Sequence, residues 1–202
     1  MAGATLEEEI LLRALTGRVV GTEVMKDYNK IAIISEDSLM CTATSTAVEA
    51  SYLSKNNFGN ILHIIVKENG VKDVADKVID YDPGAVLLMF SGEGEESTGL
   101  FVKTLKSLSE AMVETDVILH ERIFSSGGLQ EALKDEGVAE YLEETPLFVY
   151  TADLDGGMMV LNEIYIEGGN VELDPLEHYP LTLQHVELLK KSLRKEGADK
   201  EE

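Results

Sequence analysis

The sequence predicts an α/β fold: a three-layer, doubly wound, mostly parallel sheet of five strands, Rossmann-like or flavodoxin-like, with an N-terminal helix and a C-terminal β-hairpin plus helix. Short apolar runs rich in Ile, Val and Leu alternate with segments of helical periodicity, a pattern typical of βαβ units with parallel strands. The run at residues 85–90 is apolar throughout, as expected for a central strand that helices cover on both faces.

The N-terminal segment begins with a predicted helix. Thr5 and Glu8 have the spacing of a capping box, and the helix is expected to end near Gly17. Its predicted apolar stripe consists of Leu6, Ile10, Leu11, Ala14 and Leu15. Residues 18–25 and 30–35 are rich in β-branched side chains, which favours a hairpin, or an edge strand that leads into the first central strand.

The middle of the chain continues the alternation. Residues 36–45 are predicted to form a hydroxyl-rich loop, because Thr46 and Glu49 make a second capping box that would start the next helix. Further strands are predicted at residues 61–66, 116–120 and 146–150, with helical patterns between them.

After residue 151 the pattern changes. Gly168, Gly169 and Asn170 predict a chain reversal, so residues 158–173 are interpreted as a hairpin appendage at the sheet edge. A final helix is predicted at 181–194. The chain is predicted to be a single α/β domain over residues 1–195, followed by a disordered acidic tail at 196–202.

Composition limits the classes of partner. The 202 residues include 38 acidic and 17 basic ones, a formal net charge of −21. A surface this negative repels phosphate backbones and anionic lipids, so neither a nucleic acid nor a membrane is expected as a partner. Cys41 is the single cysteine, which excludes an intrachain disulfide. The N-terminal residues lack the features of a signal peptide, and a cytoplasmic protein is expected.

Residues 91–99 are the strongest candidate for a ligand site. They follow the central strand and offer glycines, hydroxyls and a helix N-terminus, the features that cradle a phosphate. Two phosphate motifs are excluded, because no Lys follows the last glycine and the third glycine comes five residues after the second. Glu93, Glu95 and Glu96 would repel a bare phosphate unless a divalent metal bridges to it. A solvated acidic loop at a helix N-terminus explains the same pattern.

Other candidate groups lie at predicted strand ends. His120 and Arg122 fall on one face after the fourth strand, where they would make a general base and an anion clamp. Ser91 occupies the strand-to-helix turn used by hydrolase nucleophiles, although the first Gly of that motif is lacking. Asp153 is interpreted as a metal ligand or as ordinary turn chemistry. His63 lies within an apolar strand and is interpreted as a core histidine.

The predicted site combines these groups. It comprises catalytic His120 and Ser91, ligand-binding or cofactor-binding Ser38, Gly92, Gly94, Ser97, Thr98 and Arg122, and metal-binding Glu93 and Asp153. The lining is acidic, which favours a cationic or metal-bridged ligand, with Mg²⁺ as the candidate cofactor.

Two functions of different class follow from the sequence. The first is a small-molecule or metal-bridged ligand-binding protein, catalytic or not, with its site over the carboxyl ends of the strands around residues 91–99. The alternative is a non-catalytic accessory or assembly subunit that binds a protein partner, or a second copy of itself, through the hairpin and terminal helices. The apolar run at residues 158–161 favours this alternative.

Overall fold

The computed structural model describes residues 3–55, 60–67 and 70–198. Its elements in chain order are α1 (Leu6–Val19), β1 (Lys30–Glu36), α2 (Leu39–Lys55), β2 (Asn60–Val66), α3 (Val74–Tyr81), β3 (Ala85–Met89), α4 (Gly94–Glu110), β4 (Asp116–Leu119), α5 (Glu121–Ser125), α6 (Gly128–Ala132), α7 (Glu136–Glu144), β5 (Leu147–Asp153), β6 (Met158–Glu167), β7 (Asn170–Pro180) and α8 (Leu183–Ala198). A π-helical turn at Val20–Val24 follows α1, and a 3₁₀ turn at Val71–Asp73 precedes α3.

The seven strands found in these residues form one mixed sheet in the order β2-β1-β3-β4-β5-β6-β7. Strands β1 to β5 pair in parallel, whereas β6 and β7 are antiparallel additions. The predicted hairpin therefore exists and lies at the sheet edge, where it continues the central sheet. The short turn after Asp153 returns β6 directly against β5, which makes the sheet larger than the five strands predicted.

Helices cover both faces of the sheet. On one face, alternate strand residues pack against α3, α4, α6 and α7; this core includes Ala32, Ile34, Val86, Leu88, Val117, Leu119 and Val149. The intervening residues pack against α2 and the π-helical turn; this second core includes Ile31, Ile33, Leu87, Met89, Ile118, Tyr150, Val48 and Tyr52. Because both faces are covered, the central strands are apolar throughout, as the sequence pattern indicated.

Helix α1 begins where predicted, but its buried face was predicted wrongly. Thr5 and Glu8 make both hydrogen bonds of the capping box. Leu6, a member of the predicted stripe, is 55% exposed, whereas Glu9 and Arg13 are 7% and 5% exposed. The helix therefore turns a charged face inward, against the usual amphipathic arrangement.

Residues 18–24 are helical and Met25 lies in the following turn, so the strand or hairpin predicted at residues 18–25 is not formed. Gly17 and Gly21 lie against α2, where added Cβ atoms would come within 2.4 Å of the Thr44 carbonyl oxygen and 2.5 Å of the Val48 carbonyl oxygen. The two glycines let the backbones of α1 and α2 approach closely, and this packing overrides the β-propensity of the neighbouring valines.

Helix α2 also starts earlier than predicted, at Leu39, so most of the expected loop at 36–45 is helical. Ser38 takes the capping position: its carbonyl oxygen accepts from the Thr42 amide at 2.9 Å and its Oγ accepts from the Cys41 amide at 3.2 Å. Ser38 therefore caps this helix in place of Thr46. Serine and threonine are both favoured at a helix N-cap, so the sequence alone does not choose between the two positions.

The C-terminal helix α8 extends to Ala198. Residues 196–198 of the predicted disordered tail are therefore helical, and residues 199–202 lie outside the described part of the chain. Within the described residues, no helix combines the length and the apolar character that crossing a membrane requires.

Candidate functional site

A cleft of about 390 Å³ opens at the carboxyl edge of the sheet. Its walls come from the ends of β1 and β2 and from the first turns of α4, which follows β3. The lining residues are Glu36, Asp37, Ser38, Val66, Lys67, Glu93, Glu96, Ser97 and Leu100. Open α/β sheets bind ligands at this crevice, where the chain leaves β1 toward neighbours on opposite sides.

Ser97 organises one wall of the cleft. Its buried hydroxyl donates to the Glu36 carboxylate, and its oxygen accepts from the Gly92 amide at 3.0 Å and from Ser91 Oγ at 3.2 Å. Ser91 Oγ in turn accepts from the Glu93 amide at 3.2 Å. Ser91, the predicted nucleophile, thus stabilises the loop, and within the described residues no histidine bonds to its hydroxyl.

The predicted glycines serve the backbone of this loop. Gly92 has a φ of 68°, and a Cβ there would lie 2.3 Å from Ser126 Oγ and 2.9 Å from the Arg122 carbonyl oxygen. Gly94 has a φ of 78° and faces open space at the start of α4. Thr98 is half-buried in the first turns of α4. Of the predicted ligand-binding residues, Ser38 and Ser97 line the cleft.

Acidic groups outnumber basic ones in the cleft. Lys67 is the basic lining residue, and its Nζ lies 2.7 Å from Asp37 Oδ2. Glu93 Oε1 accepts from Arg122 Nη1 at 3.0 Å, although the Glu93 side chain is 70% exposed. Glu36 and Glu96 add two further carboxylates to the lining. The cleft therefore has a negative potential that attracts cations.

His120 lies next to this region, but its geometry does not suit the predicted general base. Its Nδ1 accepts from the Arg122 amide at 2.9 Å, which caps α5. Burial, together with the charges of Arg13 and Arg122, lowers the pKa of His120 to about 3. The ring is therefore neutral at physiological pH with its proton on Nε2, so neither nitrogen is ready to accept a proton.

Arg122 joins three parts of the structure. From α5 it donates to Glu93 in the loop before α4 and, through Nη2, to Ser192 Oγ in α8 at 3.0 Å. The structure thus brings together two predicted site residues, Arg122 and Glu93, as an ion pair.

The two predicted metal ligands make other contacts in this structure. Asp153 Oδ1 accepts from the amides of Asp155 and Gly156 at 3.1 and 2.9 Å, which is turn chemistry. Glu93, the other predicted metal ligand, pairs with Arg122. In the part of the chain that the structure describes, no group of three or more His, Cys, Asp or Glu side chains is placed to hold a metal ion.

Two further side chains have structural explanations. His63 lies between Ser35 Oγ, 2.8 Å from its Nε2, and Glu49 Oε1, 2.6 Å from its Nδ1. This order matches that of a catalytic triad, but Ser35 is 1% exposed and no substrate reaches its hydroxyl. Burial raises the pKa of the Cys41 thiol to about 12, which makes it unreactive, as a small buried thiol should be.

The sequence reasoning missed Lys67 and Arg13. Lys67 follows the end of β2, so its place at the carboxyl edge was available from the strand prediction. Glu9, Arg13 and Thr16 recur at helical spacing in α1, but the leucine face of this helix was the one predicted to be buried.

Comparisons with known proteins identify the fold. A search of the curated proteins found no match. The leucine-binding protein of Thermotoga maritima is 7% identical with a TM-score of 0.59, and the match covers 83% of this chain and 66% of that one. A solute-binding protein of an ABC transporter from Rhodopseudomonas palustris, in complex with 3,4-dihydroxybenzoic acid, is 9% identical with a TM-score of 0.52, covering 85% and 66%. An extracellular ligand-binding receptor from the same species is 16% identical with a TM-score of 0.51, covering 71% and 36%.

These neighbours have the periplasmic-binding-protein-like fold of type I, and this chain matches less than two thirds of the length of each. At such low identities the likeness concerns the fold alone. A family model described as "Uncharacterized protein" matches residues 9–188. This chain therefore belongs to that family.

Proposed function

We propose that this protein binds a small cationic molecule, such as an aliphatic amine, in the cleft at the carboxyl ends of β1, β2 and β3. The observation that carries this proposal is the composition of the cleft lining. Four carboxylates and one lysine line the cleft, together with the apolar side chains of Val66 and Leu100. Two unit charges about 4 Å apart interact by roughly 4 kcal/mol at an effective dielectric constant of 20, so the carboxylates favour an ammonium group over an anion.

The apolar side chains suit the carbon chain of such a ligand, because binding sites combine apolar surface with a few placed polar groups. Proteins of the same fold bind leucine or 3,4-dihydroxybenzoic acid, which supports a small molecule by analogy only. Metal bridging is not part of the proposal, because the described acidic groups do not converge on one point. Catalysis is not part of it either, since Ser91 and His120 are engaged in structural hydrogen bonds.

Isothermal titration with 1,4-diaminobutane, butylamine and Mg²⁺ tests this function. We expect the amines to bind and Glu96→Gln to weaken them several-fold, because Glu96 lines the cleft. Glu95→Gln is the matched control: Glu95 lies in the same turn of α4 and is exposed, but it does not line the cleft. Absence of amine binding, or equal weakening by both substitutions, would contradict the proposal.

A second candidate function is a protein interface at β7. In the described chain no strand pairs with its outer edge, and all of its residues except Val171 and Tyr179 are exposed, including Leu173 and Leu176. Exposed edge strands of this kind accept further strands. Light scattering should then show an assembly that Leu173→Glu with Leu176→Glu disrupts. A monomer at all concentrations, with no co-purifying partner, would remove this candidate.

A further inference from the structure

The outer face of α2 carries no charge. Its exposed residues before Lys55 are Leu39, Thr42, Thr46, Ala50, Leu53 and Ser54. In α4 and α7, by contrast, every exposed residue except one glycine in each helix is charged. Glu49 is the acidic residue of α2, but it is half-buried and its Oε1 lies 2.6 Å from His63 Nδ1. An uncharged face of this length stands out in a chain with a net charge of −21.

Large apolar side chains are exposed along this face and on the strand beside it. Leu39 and Leu53, at the two ends of the face, are 57% and 48% exposed. The contact between Glu49 and His63 places α2 against β2. Ile65 comes two residues after His63 in β2, so it points to the same side of the sheet, and it is 51% exposed. Single exposed apolar residues are common, whereas several on one continuous surface indicate contact with another molecule.

The shape of this face suits a second helix. Residues 39, 42, 46, 50 and 53 are separated by three or four positions, so they form one straight stripe along α2. The stripe is about 21 Å long, at about 1.5 Å per residue. Thr42, Thr46 and Ala50 have small side chains, and the distance between packed helices depends on the side chains at the contact. The middle of the stripe therefore lets another helix approach closely, between the leucines at its ends.

The distribution of charge favours a second copy of this chain as the partner. A strongly basic or acidic partner would find no complementary charges on this face. Two copies of the chain repel each other over most of their surfaces, because each has a net charge of −21. An uncharged face is where they can approach with the least repulsion.

The two ends of α2 are complementary in charge. Asp37, which pairs with Lys67, lies just before the N-terminus of α2, and Lys55, which pairs with Glu23, lies at its C-terminus. A twofold axis at Thr46, midway along the stripe, would place the N-terminal end of one α2 beside the C-terminal end of the other. Asp37 would then lie near Lys55 of the second copy at both ends of the contact. Such a twofold contact uses the same surface on both copies and closes as a dimer.

We propose that two copies of this chain associate through the outer faces of their α2 helices, which meet in antiparallel orientation at Thr46, with Ile65 of β2 at the border of the contact. The stripe, about 21 Å by about 10 Å, is smaller than the ~800 Å² that each partner buries in a stable complex. The dimer therefore dissociates on dilution. Since β2 and β7 form opposite edges of the sheet, this contact is separate from the candidate interface at β7.

Sedimentation velocity of the full chain over a series of protein concentrations tests this contact. The fraction of dimer should rise with concentration, and Leu53→Glu should weaken the association by roughly tenfold, because it places a carboxylate in an apolar contact. Leu193→Glu is the matched control, since Leu193 lies in α8 and is 50% exposed, and this variant should dimerise like the wild type. A monomer at every concentration, or equal weakening by both substitutions, would overturn the proposal. Loss of the dimer in Leu173→Glu with Leu176→Glu, but not in Leu53→Glu, would overturn it in favour of β7.

A disulfide cross-link locates the axis without weakening the contact. The native Cys41 is 3% exposed, so it does not compete for cross-linking. Thr46→Cys, at an exposed position, should give a disulfide-linked dimer on mild oxidation, because a disulfide requires Cα atoms within about 7 Å of each other. Leu193→Cys should give no such dimer. A folded Thr46→Cys protein that forms no cross-link, or cross-links no faster than Leu193→Cys, would overturn the antiparallel contact.

Discussion

At the scale of single residues, Ser97 was predicted to bind a ligand, but in the structure its side chain makes hydrogen bonds to other residues of the protein. Its hydroxyl bonds to a strand-end carboxylate, a loop amide and a second serine. Strand and loop positions alone placed Ser97 and Gly92 near the carboxyl edge. Hydrogen bonds between them depend on φ values and side-chain directions that a residue pattern does not contain.

Replacing Ser97 with alanine removes the donor to the buried Glu36 carboxylate. We expect a loss of about 1–3 kcal/mol in the free energy of unfolding, the usual cost of an unsatisfied buried acceptor. Urea unfolding at neutral pH measures it. Thr98→Ala, one position further in the same helix turn, should change stability by less than about 0.5 kcal/mol. If both variants match the wild type, the Ser97 network contributes no stability.

At the scale of elements, the first two helices were the hardest to predict. Residues 18–25 have the composition of a strand, and Gly17 resembles a helix stop. In the structure, Gly17 allows α1 to approach α2 closely, and the valines of this segment lie in the helical turns next to that contact. Local propensity for helix or strand is a weak preference, and packing against another helix can override it.

This contact gives a direct test. Gly17→Ala would place a Cβ 2.4 Å from the Thr44 carbonyl oxygen, and we expect it to lower the free energy of unfolding by about 1–3 kcal/mol through overpacking. Gly99→Ala, at a helical glycine with nothing within 4 Å of the added Cβ, should instead raise stability by about 0.5–1 kcal/mol. Equal responses in chemical denaturation would mean that α1 and α2 are less closely packed than described.

The attachment of α8 should depend on pH. His185 of α8 is bonded to Thr16 Oγ1 at 3.1 Å, and burial lowers the pKa of His185 from 6.5 to about 4. Above pH 6.5 the imidazole is neutral in both states and its contribution is complete. As the pH falls from 6.5 to 4, the unfolded chain takes up a proton that the folded one refuses, which removes about 3 kcal/mol.

The measurement is the stability of wild type and of His185→Gln between pH 7 and pH 4. The variant should lose less stability over this range, because glutamine does not titrate while it can still bond to Thr16. Parallel curves for the two proteins would show that His185 is not the group responsible.

At the scale of the whole molecule, the net charge of −21 opposes the compact state by self-repulsion. Raising NaCl from about 0.01 M to about 1 M shortens the Debye length from ~30 Å to ~3 Å. We therefore expect the Tm at neutral pH to rise with salt. The rise should shrink as the pH approaches the pI of about 4.4. A Tm that is insensitive to salt at neutral pH would show that the charges are already balanced locally.

The sequence by itself determined the α/β class, the five parallel strands, the hairpin and the edge of the sheet where polar groups gather. Each of these follows from short-range patterns: apolar runs, helical spacing, glycine turns and the rule that parallel strands end at one edge. Tertiary structure decided which face of α1 is buried, where α2 begins, and that β6 and β7 extend the central sheet. These outcomes depend on contacts between residues distant in the chain, and no local pattern encodes such contacts.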